Sequence, residues 1–222
     1  MMPKILVTGA TGFIGSHLIQ ELVSRGHEVY GVSMQSTSRH MVALQPFLKD
    51  SIMMFCDIVD YKGIGSIIKS IDPDVVVHLA ALSPVRNSFD NPFAYVRVNV
   101  TGTLNIAYSL LEMDDFKKKK LIYASTAEVY GPQKVQPIRE DVVLNPSSPY
   151  ANTKASTDMY LRMLTNISFQ HAQGREDIHR SSRLGKGLHV RYRPCGRIPR
   201  SDGASAGHGR GFQCRSRCWH IK

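Results

Sequence analysis

Short apolar runs of strand length alternate along the chain with segments in which apolar residues recur at helical spacing. The runs predict strands at about 3–8, 28–33, 52–56, 74–79 and 120–125, and the helical spacing predicts helices at about 12–25, 61–71, 92–114 and 150–165. Strands that alternate with helices are typical of βαβ units, whose strands form a parallel sheet. The pattern therefore predicts an α/β protein with a doubly wound parallel sheet.

The chain changes character near residue 168. Residues 1–167 carry 16 basic and 15 acidic side chains, whereas residues 168–222 carry 12 basic and three acidic ones, so most of the net charge of +10 lies in the last quarter. Only eight of the last 55 residues are Leu, Ile, Val or Phe. This proportion lies below the roughly 20% that is typical of disordered sequence with high net charge. We expect one folded domain over 1–167 and a basic, poorly ordered segment over 168–222.

Hydropathy and cysteine usage exclude several classes of protein. The longest apolar stretches, at 75–77 and 79–82, are far shorter than the roughly 18 residues that a membrane-spanning helix needs. The first residues lack the apolar run and cleavage site of a secretory signal, which predicts a cytoplasmic location. Four cysteines do not form the dense framework of a small secreted scaffold, so we expect reduced thiols.

A glycine-rich turn joins the first predicted strand to the first predicted helix. The sequence Val-Thr-Gly-Ala-Thr-Gly-Phe-Ile-Gly occupies 7–15. Gly9 permits a tight turn, Gly12 lets the backbone approach a pyrophosphate, and Gly15 allows the helix to pack closely on the strand. Because strand, turn and helix follow in the right order, we favour a dinucleotide site over glycines that serve only turn and packing.

The end of the second predicted strand bears on the choice of cofactor. An acidic residue there binds a ribose 2'-hydroxyl, whereas a basic residue nearby suits a 2'-phosphate. No carboxylate occupies this position, and Ser33, Ser36 and Arg39 are suited to a phosphate. We therefore favour NADP over NAD as the nicotinamide cofactor, with Arg39 as a plain solvated charge the alternative.

Tyr150 and Lys154 stand four residues apart, so they share one face of a helix. An ammonium beside a phenol favours the phenolate and lowers the phenol pKa, which lets Tyr150 remove a hydroxyl proton near neutral pH. A Tyr-x-x-x-Lys spacing is common, and its meaning depends on the motifs around it.

Six motifs stand in a characteristic order. They are Thr-Gly-Ala-Thr-Gly-Phe-Ile-Gly at 8–15, Asp57-Ile58, His-Leu-Ala-Ala at 78–81, Asn-Val-Thr-Gly-Thr at 99–103, Ser-Thr-Ala-Glu-Val-Tyr-Gly at 125–131 and Tyr-Ala-Asn-Thr-Lys at 150–154. Over about residues 3–165 the chain thereby resembles the extended short-chain dehydrogenases/reductases, the NAD-dependent epimerase/dehydratase family of sugar-nucleotide enzymes. The resemblance implies a Rossmann fold.

The resemblance also implies roles for individual residues. The pyrophosphate would be held by Gly9, Thr11, Gly12, Phe13, Ile14 and Gly15. Asp57 and Ile58 would contact the adenine, and Asn99 would support the site. The residues expected along the cofactor are Leu79, Ala80 and Ala81.

The catalytic group implied by the resemblance consists of Thr126, Tyr150 and Lys154. Tyr150 would act as base on the sugar C4 hydroxyl, Lys154 would bind the nicotinamide ribose and tune Tyr150, and Thr126 would bind the substrate oxygen. Hydride would pass from C4 to the nicotinamide. The positions expected to face the substrate are Ser83, Val85 and Arg86, although Arg86 equally suits a plain surface charge.

Glu128 distinguishes subclasses within the family. In the 4,6-dehydratases a glutamate at this position takes the C5 proton so that water leaves from C6, and typical 4-epimerases lack it. Ala127 departs from the dehydratase pattern, which carries a hydroxyl or acid there. We favour a 4,6-dehydratase of the GDP-mannose type, with a nucleotide-sugar 4-epimerase, a 4-keto reductase and a non-catalytic NAD(P)-binding protein as alternatives.

The family continues after the Tyr-Lys helix with a sixth strand and a substrate domain, for which we find no counterpart. Arg193-Pro194 matches only a family dipeptide. We favour a truncation or frameshift near 168 over a nucleic-acid-binding tail, which lacks interleaved aromatic residues, and over a zinc site, which lacks C-x-x-C spacing. The candidate zinc ligands are Cys195, Cys214, Cys218, His208 and His220. We expect dinucleotide binding with very low turnover of a nucleotide sugar.

The family usually pairs through two long helices into a four-helix bundle. The helices predicted at about 92–114 and 150–165 are the candidates for a homodimer. Ile106, Leu110 and Leu111 suit either that interface or the core of one subunit.

Overall fold

The structure, a computed structural model, describes residues 2–34 and 51–172. For 165–172 it describes the backbone only. The described residues contain one parallel sheet with the strand order β3-β2-β1-β4-β5. Its strands are β1 Lys4–Thr8, β2 Glu28–Ser33, β3 Ser51–Phe55, β4 Val75–His78 and β5 Lys120–Tyr123. The predicted parallel sheet is confirmed, and its order reverses between β1 and β4.

Helices connect β1 to β2, β3 to β4 and β4 to β5, and residues 35–50 between β2 and β3 lie outside the described residues. The helices are α1 Phe13–Ser24, α2 Tyr61–Ile71, α3 Val85–Asp90, α4 Pro92–Tyr95, α5 Gly102–Leu111 and α6 Pro149–Ala172. A π-helical segment, Val96–Thr101, joins α4 to α5, and short 3₁₀ turns occupy Phe116–Lys118 and Ala127–Tyr130. No helix among the described residues is long and apolar enough to span a membrane.

Side chains from alternate strand positions form two buried clusters, one on each face of the sheet. Leu6, Val76 and Leu121 pack on one face against Ile68 of α2 and Ile106 of α5. The opposite face is covered by α1 and consists of Ile5, Val7, Ile19 and Val29. Helices on both faces explain why the strands are almost continuously apolar and confirm the doubly wound architecture.

Three helical regions differ most from the sequence-based elements. The helix expected at 92–114 is divided into α4, the π-helical segment and α5, and it ends at Leu111. α3 was not expected, because six residues give too few turns for a helical period to be visible. α6 extends to Ala172, seven residues further than expected and across the predicted domain boundary at 168.

The alternative roles of the apolar residues on α5 are resolved. Ile106 and Leu110 are buried in the core, and Leu111 packs against it. They therefore stabilise a single subunit. The predicted division into 1–167 and 168–222 stays a prediction, since most of the second segment lies outside the described residues.

Candidate active site

The glycine-rich turn lies at the carboxyl end of the central strand, where the strand order reverses. Gly9 has a φ of +69°, and a Cβ built on it would lie 2.8 Å from the backbone nitrogen of Ala80 and 2.9 Å from the carbonyl carbon of Leu79. Only glycine fits here, because the turn packs directly on the segment that follows β4. In sheets of this kind ligands bind in the crevice at such a reversal point.

The first turn of α1 is built to approach an anion. The N–H of Gly12 donates to the carbonyl of Gly9 at 2.9 Å. A Cβ on Gly15 would collide with the same carbonyl, so the helix starts close against the turn. Gly12 occupies the N-cap position without a side-chain cap. Backbone N–H groups at such a helix end suit a pyrophosphate, so the residues present fit a dinucleotide.

The other residues expected at the pyrophosphate differ in exposure. Phe13 and Ile14 are 68% and 66% exposed, large fractions for apolar side chains at a helix start. Thr11 is buried, and its Oγ1 lies 2.5 Å from Oγ of Ser33 at the end of β2. This hydrogen bond ties the turn to the strand expected to carry the ribose-recognition residues. Ser36 and Arg39 lie outside the described residues.

The loop after β3 carries Asp57 and Ile58. Oδ1 of Asp57 accepts the N–H of Val59 at 3.0 Å, and Oδ2 lies 3.9 Å from Arg97. The Ile58 side chain is buried in the core against Gly102, where a Cβ would lie 2.6 Å from Cδ1 of Ile58. Asp57 thus remains partly accessible, whereas the Ile58 side chain fixes the loop from inside.

A buried chain of hydrogen bonds runs through His78 beneath the site. The N–H of Ala80 donates to Oγ1 of Thr8 at 3.3 Å, and this oxygen lies 2.6 Å from Nδ1 of His78. Nε2 of His78 lies 2.9 Å from Oγ1 of Thr103, whose hydroxyl donates to the carbonyl of Asn99 at 2.6 Å. Because the Thr103 proton is committed to that carbonyl, we infer that Nε2 carries the proton and Nδ1 accepts from Thr8.

Burial lowers the pKa of His78 to about 3, with a smaller contribution from the Lys154 ammonium. The imidazole is therefore neutral, as the assigned hydrogen bonds require. His78 acts as a rigid link between strands β1 and β4 and the helix behind them.

Asn99 holds the segment that follows β4. Its Oδ1 accepts the N–H of Leu82 at 2.8 Å, and its Nδ2 donates to the carbonyl of Leu82 at 3.0 Å and to Oγ1 of Thr153 at 3.1 Å. The residue lies in the π-helical segment, a local irregularity frequent at functional sites. Asn99 therefore connects α6 to the segment that contains Leu79, Ala80 and Ala81, all of which are partly buried.

Tyr150 and Lys154 lie on the first two turns of α6. Nζ of Lys154 donates to the carbonyl of Ala124 at 2.9 Å and lies 4.7 Å from the centroid of the Tyr123 ring. Burial lowers the Lys154 pKa to about 8, and Asp158 opposes that shift. The half-buried Tyr150 ring packs edge-on against Tyr95 with a centroid separation of 6.4 Å. With this pKa the Lys154 ammonium is charged at neutral pH, and it lies one helical turn from the Tyr150 phenol.

Thr126 and Glu128 lie on the 3₁₀ turn after β5. Oγ1 of Thr126 accepts the N–H of Glu128 at 3.3 Å and so caps this turn. Oε2 of the exposed Glu128 lies 3.5 Å from Oγ of Ser148, which in turn accepts the N–H of Ala151 and caps α6. The carboxylate thus lies beside the end of α6 that carries Tyr150.

The residues expected to face the substrate lie around the start of α3. Ser83 and Arg86 are exposed, and Val85 is partly buried. The hydroxyl of Tyr95 donates to the carbonyl of Pro84 at 2.5 Å, which fixes this segment close to Tyr150. The structure therefore brings the expected residues from the ends of β1, β4 and β5 and from α6 to one edge of the sheet.

Two polar residues at this edge were not singled out from the sequence. Ser125 donates to Oδ2 of the fully buried Asp158 at 2.9 Å. The sequence did carry a signal for Asp158, because it follows Tyr150 and Lys154 at the same four-residue spacing and so continues their helix face.

Among the described residues no group of His, Cys, Asp and Glu could hold a metal ion, and the candidate zinc ligands of the tail lie outside them.

The fold and this edge are typical of dinucleotide-binding α/β proteins that carry a Tyr-Lys pair. A family model described as GDP-mannose 4,6 dehydratase matches residues 6–175. The chain is 38% identical over 151 residues to a UDP-glucose 4-epimerase of Lactobacillus helveticus, and the matched region covers 68% of this chain and 44% of that protein. It is 32% identical over 161 residues to a GDP-mannose 4,6-dehydratase of Vibrio cholerae, covering 69% and 43%.

Solved structures of nucleotide-sugar epimerases are also similar to this chain. The UDP-glucose 4-epimerase of Thermotoga maritima, in complex with UDP-glucose, matches with a TM-score of 0.66 and 32% identity over 73% of this chain and 51% of that chain. The epimerase of Bifidobacterium longum, in complex with NAD+ and UDP, matches with a TM-score of 0.66 and 29% identity, covering 74% and 49%. The chain therefore belongs to the NAD-dependent epimerase/dehydratase family of nucleotide-sugar enzymes. It spans about half the length of the relatives it matches.

Proposed function

We propose that this site modifies a nucleotide sugar through oxidation at C4, and that the reaction is the 4,6-dehydration of GDP-mannose, in which C4 remains a ketone. The observation that carries the choice of reaction is Glu128, an exposed carboxylate on the turn capped by Thr126 and within 3.5 Å of the Ser148 hydroxyl at the start of α6. Oxidation at C4 acidifies the C5 hydrogen, and a carboxylate beside the C4 chemistry is suited to remove it.

The residues of this chain divide the work as follows. The turn from Gly9 to Gly15 would hold the dinucleotide, which when bound would accept the hydride from C4 and return it to C6 after water has left, while C5 takes a proton from solvent. Tyr150 takes the proton of the C4 hydroxyl, and the Lys154 ammonium favours its phenolate. Thr126 binds the substrate oxygen, and Glu128 then takes the C5 proton so that water leaves from C6.

A 4-epimerase is the second candidate. Several relatives are UDP-glucose 4-epimerases, and Ala127 has no hydroxyl or acid to assist the departure of water. An epimerase returns the hydride to C4 and leaves C5 untouched, so Glu128 would then have no chemical role. A non-catalytic dinucleotide-binding protein would use only the glycine-rich turn.

Mass spectrometry after long incubation in deuterated water distinguishes these candidates even when turnover is slow. The purified chain is incubated with NADP⁺ or NAD⁺ and with GDP-mannose or UDP-glucose. We expect a product of GDP-mannose that has lost one water and gained solvent deuterium at C5. An isomer of unchanged mass without solvent deuterium, separated from the substrate by chromatography before mass spectrometry, would favour the epimerase. Dinucleotide binding without any new product would favour the non-catalytic protein.

Variants of two glutamates sharpen this test. Glu128→Gln is expected to slow loss of water at least about 100-fold, because the base for C5 is removed. Glu21→Gln is the control, since Glu21 lies on α1 and pairs with Arg25 on the surface. Equal rates for the two variants would contradict the role of Glu128.

We propose NADP as the preferred cofactor, on the absence of a carboxylate at 33–39 and the presence of Arg39. Calorimetric titration is expected to show tighter binding of NADP⁺ than of NAD⁺. Arg39→Ala is expected to weaken NADP⁺ binding about tenfold and to leave NAD⁺ binding unchanged, because a charged hydrogen bond to the 2'-phosphate is lost. Arg25→Ala, on the surface of α1, is the control. A preference for NAD⁺ would overturn the proposal.

We propose a homodimer through the helices that flank the site. Large apolar side chains are exposed on α4, α5 and the π-helical segment, and on the neighbouring α6. They are Phe93, Val96, Tyr108, Met159, Tyr160 and Met163. Exposed apolar side chains on adjacent helices favour a protein interface.

The cytoplasmic location stays a prediction, which fractionation of the source cells tests.

A further inference from the structure

Asp158 is a buried carboxylate that the proposed chemistry does not use. It is fully inaccessible to solvent and lies one helical turn beyond Lys154 and two beyond Tyr150. Its Oδ2 accepts the Ser125 hydroxyl at 2.9 Å. A buried carboxylate is costly unless it is hydrogen-bonded or faces a positive charge, so its presence here requires a partner.

Ser125 makes the first link from Asp158 to the site. It immediately precedes Thr126, which caps the 3₁₀ turn and leads to Glu128. A hydroxyl that donates to an ionised carboxylate makes one of the stronger hydrogen bonds in proteins. The bond therefore ties the loop that carries Thr126 to the helix that carries Tyr150.

Lys154 makes the second link. The groups that face its ammonium are the Tyr123 ring of β5, the carbonyl of Ala124 that follows it, the neutral His78 from β4, and Asp158 from its own helix. Burial also raises the pKa of the Tyr123 phenol, which stays uncharged. Among these groups Asp158 is the one that carries a negative charge at neutral pH, and it favours the charged form of Lys154.

We propose that Asp158 is a positioning residue for the Tyr150–Lys154 pair, which anchors the Ser125–Thr126 loop to α6 and supplies the counter-charge that keeps Lys154 an ammonium inside the protein. The proposal rests on the proposed function only in that Tyr150 and Lys154 transfer the proton. Asp158 contacts neither reacting atom and acts through its two neighbours.

The protonation of Lys154 can be followed directly in the full chain, without turnover. Lysine is labelled with ¹⁵N at the side-chain nitrogen, the Lys154 signal is assigned by its loss in Lys154→Arg, and its pKa is measured by NMR. Asp158→Asn removes the charge and keeps a hydrogen-bond acceptor for Ser125. We expect it to lower the pKa of Lys154 by about one unit or more. Asp114→Asn, at an exposed position after α5, is the control and is expected to leave it unchanged.

Ser125→Ala separates the two links, because it keeps the charge and removes the hydrogen bond. We expect a Lys154 pKa close to that of the wild type, together with faster hydrogen exchange at the amides of Glu128 and Val129. Asp158→Ala removes both links and is expected to show both effects. It also serves as the second neutral variant if Asp158→Asn does not fold.

An unchanged Lys154 pKa in a folded neutral variant overturns the counter-charge, and unchanged exchange in Ser125→Ala overturns the anchor. Failure of the proposed function has a different signature. In that case the wild type converts no nucleotide sugar, while the Lys154 pKa still responds to Asp158→Asn.

Discussion

Gly9 and Gly26 share a left-handed backbone conformation but differ in how closely other atoms pack against them, so comparing them distinguishes backbone strain from close packing. Both have positive φ, +69° and +80°, a conformation that costs other residues about 1–2 kcal/mol. Around Gly26 the space for a Cβ is open, whereas at Gly9 it is filled by the backbone of Leu79 and Ala80. Gly9 is therefore constrained twice, and the second constraint comes from the candidate cofactor crevice.

We expect Gly26→Ala to lower the free energy of unfolding by about 1 kcal/mol, through strain alone. Gly9→Ala is expected to lower it by about 2 kcal/mol more, because β1 and the segment after β4 must move apart. Urea unfolding measures both values. Only Gly9→Ala should also weaken dinucleotide binding, and equal effects of the two variants would contradict this account.

At the scale of elements, the hydrogen-bond chain through His78 joins β1, β4 and α5 into one unit. Thr8, His78 and Thr103 contribute one link from each element. The chain has a fixed direction, since every donor along it points the same way. It requires a neutral imidazole, which makes the unit sensitive to acid.

The stability of this unit is expected to depend on pH in a defined window. Unfolded His78 takes up a proton at its ordinary pKa of 6.5, whereas folded His78 does so only at about 3. Protons therefore favour the unfolded state between these values, and stability that is fully present above pH 6.5 is lost as the pH falls towards 3.

We expect His78→Gln to remove this contribution. Between about pH 6 and pH 4 the wild type should lose about 1 kcal/mol per pH unit more than the variant, as urea unfolding at several pH values measures. His17→Gln, at an exposed position on α1, is the control and should keep the wild-type dependence. Parallel profiles for the wild type and His78→Gln would contradict the neutral, buried imidazole.

The sequence predicts some elements well and others poorly, for physical reasons. The strands and the glycine-rich turn are predictable because apolar runs and glycines act locally. The π-helical segment is not, because one extra residue in a helical turn barely changes the spacing of apolar residues. Asp158 continues the helix face of Tyr150 and Lys154, but the sequence does not show whether this face is solvated or covered, and the burial of Asp158 follows from the tertiary packing of α6.

At the scale of the whole molecule, the exposed apolar side chains of α4 to α6 predict association. We expect sedimentation to show a dimer, and Met159→Glu to give a monomer, because a charge would then be buried at the interface. Val143→Glu, which alters an exposed apolar residue in the loop before α6, is the control and should remain dimeric. A monomeric wild type would contradict the proposed interface.

The strand order also has a consequence during synthesis of the protein. β1 lies at the centre of the sheet, yet its second neighbour is β4, and the Thr8–His78 hydrogen bond spans 70 residues. At a ribosomal rate of about 5–20 residues per second, one edge of β1 stays unpaired for several seconds after the strand is made. An unpaired apolar strand edge is a template for aggregation. We therefore expect the nascent chain to be most prone to aggregation before β4 emerges.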